Sequence, residues 1–164
     1  MFTIPLNVPG VLGITPRPRG SDWLDDDLRA LATSGVHVLV SLLESHEELE
    51  LGLEQEAALC ASNGLAFVDV PIPDLGVPAD FAQFATVVAE LGGHLRLGQR
   101  VAVHCRQSVG RSGLLAVSLA VVTGLDLPSA IEAVSTARGI RVPETPAQLA
   151  WLRQHQGQLS GLAG

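Results

Sequence analysis

The chain predicts an α/β fold, a central, largely parallel sheet of four to five strands flanked by helices. Three observations carry this expectation. Short apolar or β-branched runs at 11–15, 36–42, 65–72 and 100–105 alternate with longer stretches of helical pattern, the order in which crossover helices join parallel strands. The run "VHVLVSL" (36–42) is mostly apolar at successive positions, as in a strand covered on both faces. Residues 112–156 hold three consecutive helical segments, placed as a cap on one side of the sheet.

Taken in order, "VLGIT" (11–15) reads as the first strand, followed by a turn of prolines and arginines. Ser21 is placed to cap a helix through about Thr33, with Asp22, Asp25, Asp26 and Asp27 near its positive end, and Gly35 ends it. "SHEE" (45–48) is a capping-box signal for a short helix, and a further helix over about 53–63 stops at Asn63-Gly64. "LAFVDVPI" (65–72) is the next strand. "DFAQ" (80–83) opens a long helix to about Leu97, and "RVAVHC" (100–105) is the strand after it. The three remaining helices run over 112–124, 128–139 and 145–156; Pro128 and Pro146 suit first-turn positions. The tail "GQLSGLAG" is expected to fray. Without repeats or linkers, residues 1–164 read as one domain, its core at about 35–156.

Composition narrows the class. The hydrophobic fraction is 47%, yet no apolar run reaches the ~18–20 residues of a membrane span. The start, "MFTIPLNVPG", lacks a basic segment and is broken by prolines, unlike a signal peptide; a soluble cytoplasmic protein is expected. The net charge of −7 argues against a nucleic-acid partner. Every basic residue is arginine, so each fixed cation can present a planar fork to phosphate or carboxylate. There is no tyrosine. Two cysteines, Cys60 and Cys105, make neither a disulfide framework nor a zinc site. The histidines do not cluster, so neither a metal nor another cofactor is expected.

One segment carries reactive residues between two buried elements: "VAVHCRQSVGRSGLLAVSLAV" (101–121). Ligands of open α/β sheets bind beyond the carboxyl ends of the strands, which is where His104 and Cys105 fall. The backbone N–H groups of Arg106, Gln107, Ser108, Val109 and Gly110 can curl inward, and a helix opening near Ser112 adds its positive end. That is an anion cradle, with surroundings that suit a cysteine thiolate. Gly110 lets the backbone close up before Arg111, whose guanidinium can hold two phosphoryl oxygens.

His104-Cys105, five intervening residues, then Arg111-Ser112 resembles the signature of cysteine-dependent protein tyrosine phosphatases, most like the compact dual-specificity group. The resemblance covers roughly residues 35–155. It implies a phosphatase-like fold and a metal-independent protein phosphatase acting on phosphotyrosine, and on phosphoserine or phosphothreonine as alternatives, through a phosphocysteine. A thiolate nucleophile leaves the departing oxygen in need of a proton. Asp74, in the proline-bracketed loop "VPIPDLGVP" (70–78), lies 31 residues ahead of Cys105, a spacing like that of the family's acid loop. Asp69 is the rival, within a strand, and Asp80 is committed to capping.

The resemblance also implies that Ser112 bonds the cysteine sulfur and helps its release, a role that a helix N-cap could fill at the same time. His104 is expected to orient the cysteine loop. Gln148 resembles a pocket glutamine that positions water, against a solvated helix residue. Arg138 and Arg141 could widen a positive rim, solvation being the plainer reading for at least one. Cys60 reads as a buried helix residue, with a resolving thiol as the sharper alternative. Many relatives carry alanine and glycine where Gln107 and Ser108 stand, so either the loop needs no positive φ there or the side chains line the pocket. The loop has no lysine or histidine, which disfavours inositol lipids. Two other classes remain: a rhodanese-like sulfurtransferase, whose loop is usually one residue shorter and lacks an acid loop, and a non-catalytic phosphoprotein-binding module, which would lack a nucleophile, arginine or acid.

Overall fold

The computed structural model of the chain describes residues 1–162. In chain order the elements are β1 (Phe2–Ile4), β2 (Val11–Ile14), a 3-10 turn (Ser21–Trp23), α1 (Leu24–Thr33), β3 (Val38–Ser41), α2 (Ser45–Leu51), α3 (Glu56–Ser62) and β4 (Ala66–Asp69). There follow α4 (Phe81–Arg96), β5 (Arg100–His104), α5 (Gly110–Val122), α6 (Leu127–Arg138) and α7 (Pro146–Ser160). The strands form one five-stranded sheet in the order β1-β2-β5-β3-β4. β2, β5, β3 and β4 are mutually parallel, and β1 pairs antiparallel with β2 at the edge. The expected largely parallel α/β sheet is therefore the observed one.

Side chains alternate between two layers, as the strand period requires. Val38, Val40, Val101 and Val103 join α4, α5, α6 and α7 in the larger core. Leu39 and Ala102 face the smaller one with Leu24 and Leu28 of α1 and Cys60 of α3. Helix α5 is buried along its whole length, which is why its sequence shows almost no polar face. Gly113 permits a close contact with the segment before α7, since a Cβ there would meet Val142 Cβ at 2.9 Å.

Several local expectations shift. β1 is too short and too exposed to show a pattern: only Ile4 is buried. Ser21 is not the cap of α1; it sits at φ 55 in the 3-10 turn, donating its N–H to Gly52 O at 2.8 Å. The capping box of α2 lies one residue earlier, at Glu44 and Glu47. Helix α5 opens at Gly110, under the N-cap Val109, so Ser112 lies inside its first turn and is no N-cap. The C-terminal tail continues α7 to Ser160, held by the fully buried Leu159; only residues 163 and 164 lie outside the described chain. Asp80 does cap α4, accepting from Gln83 N–H at 3.1 Å. No helix of the described residues is long and apolar enough to cross a membrane.

Candidate active site

β2, β5 and β3 run parallel and end side by side, so the loops after them meet on one edge of the sheet. Central among them is Cys105–Val109, between the buried β5 and the buried α5. Cys105 is itself almost fully buried, and its Sγ accepts the Ser108 N–H at 3.2 Å.

The loop does require a positive φ, and Ser108 supplies it at φ 55. An L-residue there costs ~1–2 kcal/mol, offset by three-way bracing. Ser108 Oγ donates to Thr15 O at the end of β2 at 2.7 Å, and its carbonyl accepts from Arg138 Nε, also at 2.7 Å. Arg138 in turn lies 4.3 Å over the Phe2 ring of β1. Arg138 is thus a strut of the loop, not a solvated rim charge, whereas Arg141 is exposed. The Ser108 side chain turns into the protein, and Gln107 remains at the surface. Replacing Ser108 by alanine removes the Thr15 bond and keeps the strain; glycine removes both. Alanine should therefore unfold more easily than glycine, by about 1 kcal/mol in denaturant titration. Equal or reversed stabilities would rule out a strained serine.

Arg111 is the hub. It is 2% exposed and pairs bidentately with Glu47, also 2% exposed, at 2.5 Å (Nη1–Oε2) and 2.9 Å (Nη2–Oε1). Nη1 also donates to Ile72 O at 3.0 Å and Leu42 O at 3.3 Å, and Nη2 lies 3.1 Å from Asp74 Oδ1. Burial opposes the charge of Arg111. The hydrogen bond to Glu47 and the charges of Cys105, Glu47 and Asp74 nonetheless raise its pKa. The hydrogen bond from Arg111 likewise holds Glu47 below the ordinary carboxylate value against the effect of burial. Glu47 is fixed a second way: its Oε2 accepts the Glu44 N–H at 3.0 Å, within the capping box. Sequence reasoning missed Glu47, because the box was read one residue late.

Asp74 stands on the loop after β4 with its side chain 62% exposed. That loop is clamped by the start of α7. Gln148 Nε2 donates to Gly76 O at 3.0 Å, and Thr145 Oγ1 to Leu75 O at 3.5 Å. Gln148 is fully buried, so it is no solvated helix residue. It also presses on Gly110, where a Cβ would sit 3.2 Å from both amide heteroatoms and 2.7 Å from Glu144 Oε2. The glycine is thus required for close approach. Asp69, by contrast, ends β4 on the α3 side; burial, then Glu56, raises its pKa.

Other expected residues stand differently. The His104 ring points to the α3 layer, its Nε2 3.0 Å from Glu56 Oε1 with both groups buried, but the pair is not aligned as a hydrogen bond. His104 therefore does not orient the loop through its side chain. Ser112 Oγ is buried without a hydrogen-bond partner among the described residues. Arg106 turns outward and pairs with Glu50. Cys60 belongs to the core on the opposite face of the sheet from Cys105. Burial, with Glu56 adding, pushes its thiol up to about 12, which does not suit a resolving thiol. Among the described residues, no group of His, Cys, Asp and Glu is placed to hold a metal ion.

Residues 13–125 match the family model described as the polymorphic toxin system DSP-PTPase phosphatase, Tc-R-P. The chain belongs to this family. As a DSP-PTPase phosphatase it is a cysteine-based, metal-independent hydrolase with protein phosphatase function, and neither the rhodanese-like nor the non-catalytic reading is favoured. The fold is similar to kinase associated phosphatase (KAP) with its catalytic-site cysteine substituted by serine, at 21% identity over 94% of this chain and 90% of that one, TM-score 0.82. It is similar also to Tk-PTP in its active form, at 23% identity over 95% and 97% of the two chains, TM-score 0.74. PTPMT1, solved in complex with PI(5)P, is 20% identical over 93% and 95%, TM-score 0.72. No curated protein matches the phosphatase.

Proposed function

We propose that the phosphatase hydrolyses phosphomonoesters in two steps, with Cys105 as nucleophile and Asp74 as general acid and base. The observation that carries this reading is the position of Arg111. It lies beside Asp74 and is locked by Glu47, next to the loop that donates a backbone N–H to Cys105. In the first step the Cys105 thiolate attacks phosphorus, the P–O ester bond breaks, and the departing oxygen takes the Asp74 proton. Arg111 and the N–H groups from Arg106 to Gly110 hold the three non-bridging oxygens as charge shifts. In the second step water attacks the phosphocysteine, gives its proton to the Asp74 carboxylate, and the thiolate departs. Ser112 Oγ, which has no other partner among the described residues, donates to the leaving sulfur. Gln148 positions the acid loop through Gly76.

The substrates are phosphoproteins bearing phosphotyrosine, and the reading extends to phosphoserine and phosphothreonine. Its support is that the chain holds no tyrosine anywhere that could deepen the mouth of the site. The described chain acts as a single catalytic domain, and a reducing cytoplasmic setting would keep Cys105 a thiol. The test is hydrolysis of p-nitrophenyl phosphate in chelator by wild type and Cys105→Ser. Activity should fall to background in the variant, and undiminished turnover would rule out the mechanism.

A further inference from the structure

The phosphate loop carries two cationic side chains, Arg106 and Arg111. Arg111 is buried and committed to the reacting phosphate, so Arg106, at 33% side-chain exposure, is the loop cation that could meet the rest of a substrate. It is not free to do so. Its Nη1 donates to Glu50 Oε2 at 3.0 Å and its Nη2 to Glu50 Oε1 at 2.9 Å. Such a fork-on-fork pair occupies the guanidinium edge that would read an incoming anion.

The pairing follows from helix geometry. Glu47 and Glu50 are three residues apart on α2 and share a face; the inner one takes the buried arginine and the outer one the surface arginine. Glu47 Oε1 also lies 3.9 Å from Arg106 Nη1, adding negative potential there. On the other side of the loop, Glu144 approaches Gly110 closely. The loop is therefore flanked by the carboxylates of Glu47, Glu50 and Glu144, on a chain of net charge −7.

We propose that Glu50 is a specificity-determining residue: by pairing with Arg106 it withdraws that cation from the mouth of the cradle. The enzyme then favours a single phosphomonoester with neutral or basic surroundings and discriminates against substrates bearing further anionic groups beside it. This rests on the phosphatase reading of the Cys105 loop. Glu50 is 57% exposed, so its replacement does not threaten the fold.

The experiment compares kcat/KM for two phosphotyrosyl peptides that differ only in having glutamine or glutamate on either side of the phosphotyrosine. Wild type should prefer the glutamine peptide. Glu50→Gln should raise the glutamate-to-glutamine ratio roughly 3- to 10-fold at low salt, as expected for one uncovered surface charge, and the gain should shrink in 0.5 M salt (roughly a 4 Å screening length). In the double variant Glu50→Gln, Arg106→Gln the ratio should return to the wild-type value, which a merely structural role for Glu50 would not produce. A ratio unmoved in Glu50→Gln, or raised equally in the double variant, overturns the proposal. Wild type is also assayed on p-nitrophenyl phosphate: no turnover there overturns the phosphatase reading itself, whereas turnover with an unmoved ratio overturns only the role of Glu50.

Discussion

Arg111→Met should lose both catalysis and stability, and the two losses should be separable. The activity loss follows from removing the side-chain fork on the transferring phosphoryl group. Deleting one preorganised donor of this kind costs about 10²–10³ in kcat, and Arg111 also carries the charge, so a fall in kcat/KM on the order of 10³ or more is expected. The stability loss has another origin. Glu47 is as buried as its partner, and removing one member of such a pair strands the other charge in the interior, at a cost of about 3–5 kcal/mol. For a domain of this size that corresponds to a drop of roughly 10 °C in Tm.

The pH dependence fixes the cause. The pKa of Glu47 is lowered in the fold, so its contribution to stability is complete above the unfolded value near 4.5 and is lost as pH falls through the lower folded value. In Arg111→Met the unpaired Glu47 instead gains by protonation. The Tm gap between variant and wild type should therefore narrow on acidification. Replacing both residues, as Glu47→Leu with Arg111→Met, should recover most of the stability and none of the activity. Thermal melts from pH 4 to 8 beside steady-state kinetics test all of this; a gap that widens toward acid would exclude Glu47 as its source.

The same residues mark what a sequence makes legible. Strand β5, the loop and α5 could be read because they are contiguous: an apolar run, a spacing of reactive residues and a second apolar run. Asp74 could be read because prolines bracket its loop and because the chemistry at Cys105 demands an acid. What holds these parts together is spread across the chain. Glu47 reaches Arg111 over 64 residues and Thr15 reaches Ser108 over 93, and no local pattern announces either contact. Ser108 shows the same limit in reverse. The missing glycine was visible, but only the Thr15 and Arg138 bonds decide that a serine can take the left-handed position. His104 was misjudged for a simpler reason: strand alternation sends it to the face opposite Cys105, where Glu56 lies.

Asp74→Asn should separate chemistry from structure in the opposite sense to Arg111→Met. The side chain is mostly exposed, so its pair with Arg111 contributes at most about 1 kcal/mol to stability, and asparagine keeps the shape. Melting should be almost unchanged. Catalysis should not be, because asparagine cannot protonate a leaving oxygen, and positioned general acids contribute about 10²–10⁴-fold. How much is lost must depend on how badly the leaving group needs the proton. A phenoxide derived from tyrosine has a conjugate acid near pKa ~10, whereas a nitrophenoxide is stable enough to depart unassisted. The variant should therefore lose on the order of 10²-fold or more on a phosphotyrosyl peptide and much less on p-nitrophenyl phosphate. Across a series of aryl phosphates, log kcat/KM should fall steeply with leaving-group pKa in the variant and stay nearly level in wild type. Asp69→Asn, altering a carboxylate on the α3 side of β4, should leave the wild-type slope intact. If Asp69→Asn steepens the slope while Asp74→Asn does not, the acid belongs to the end of β4, and the loop that Gln148 clamps serves only to close the site.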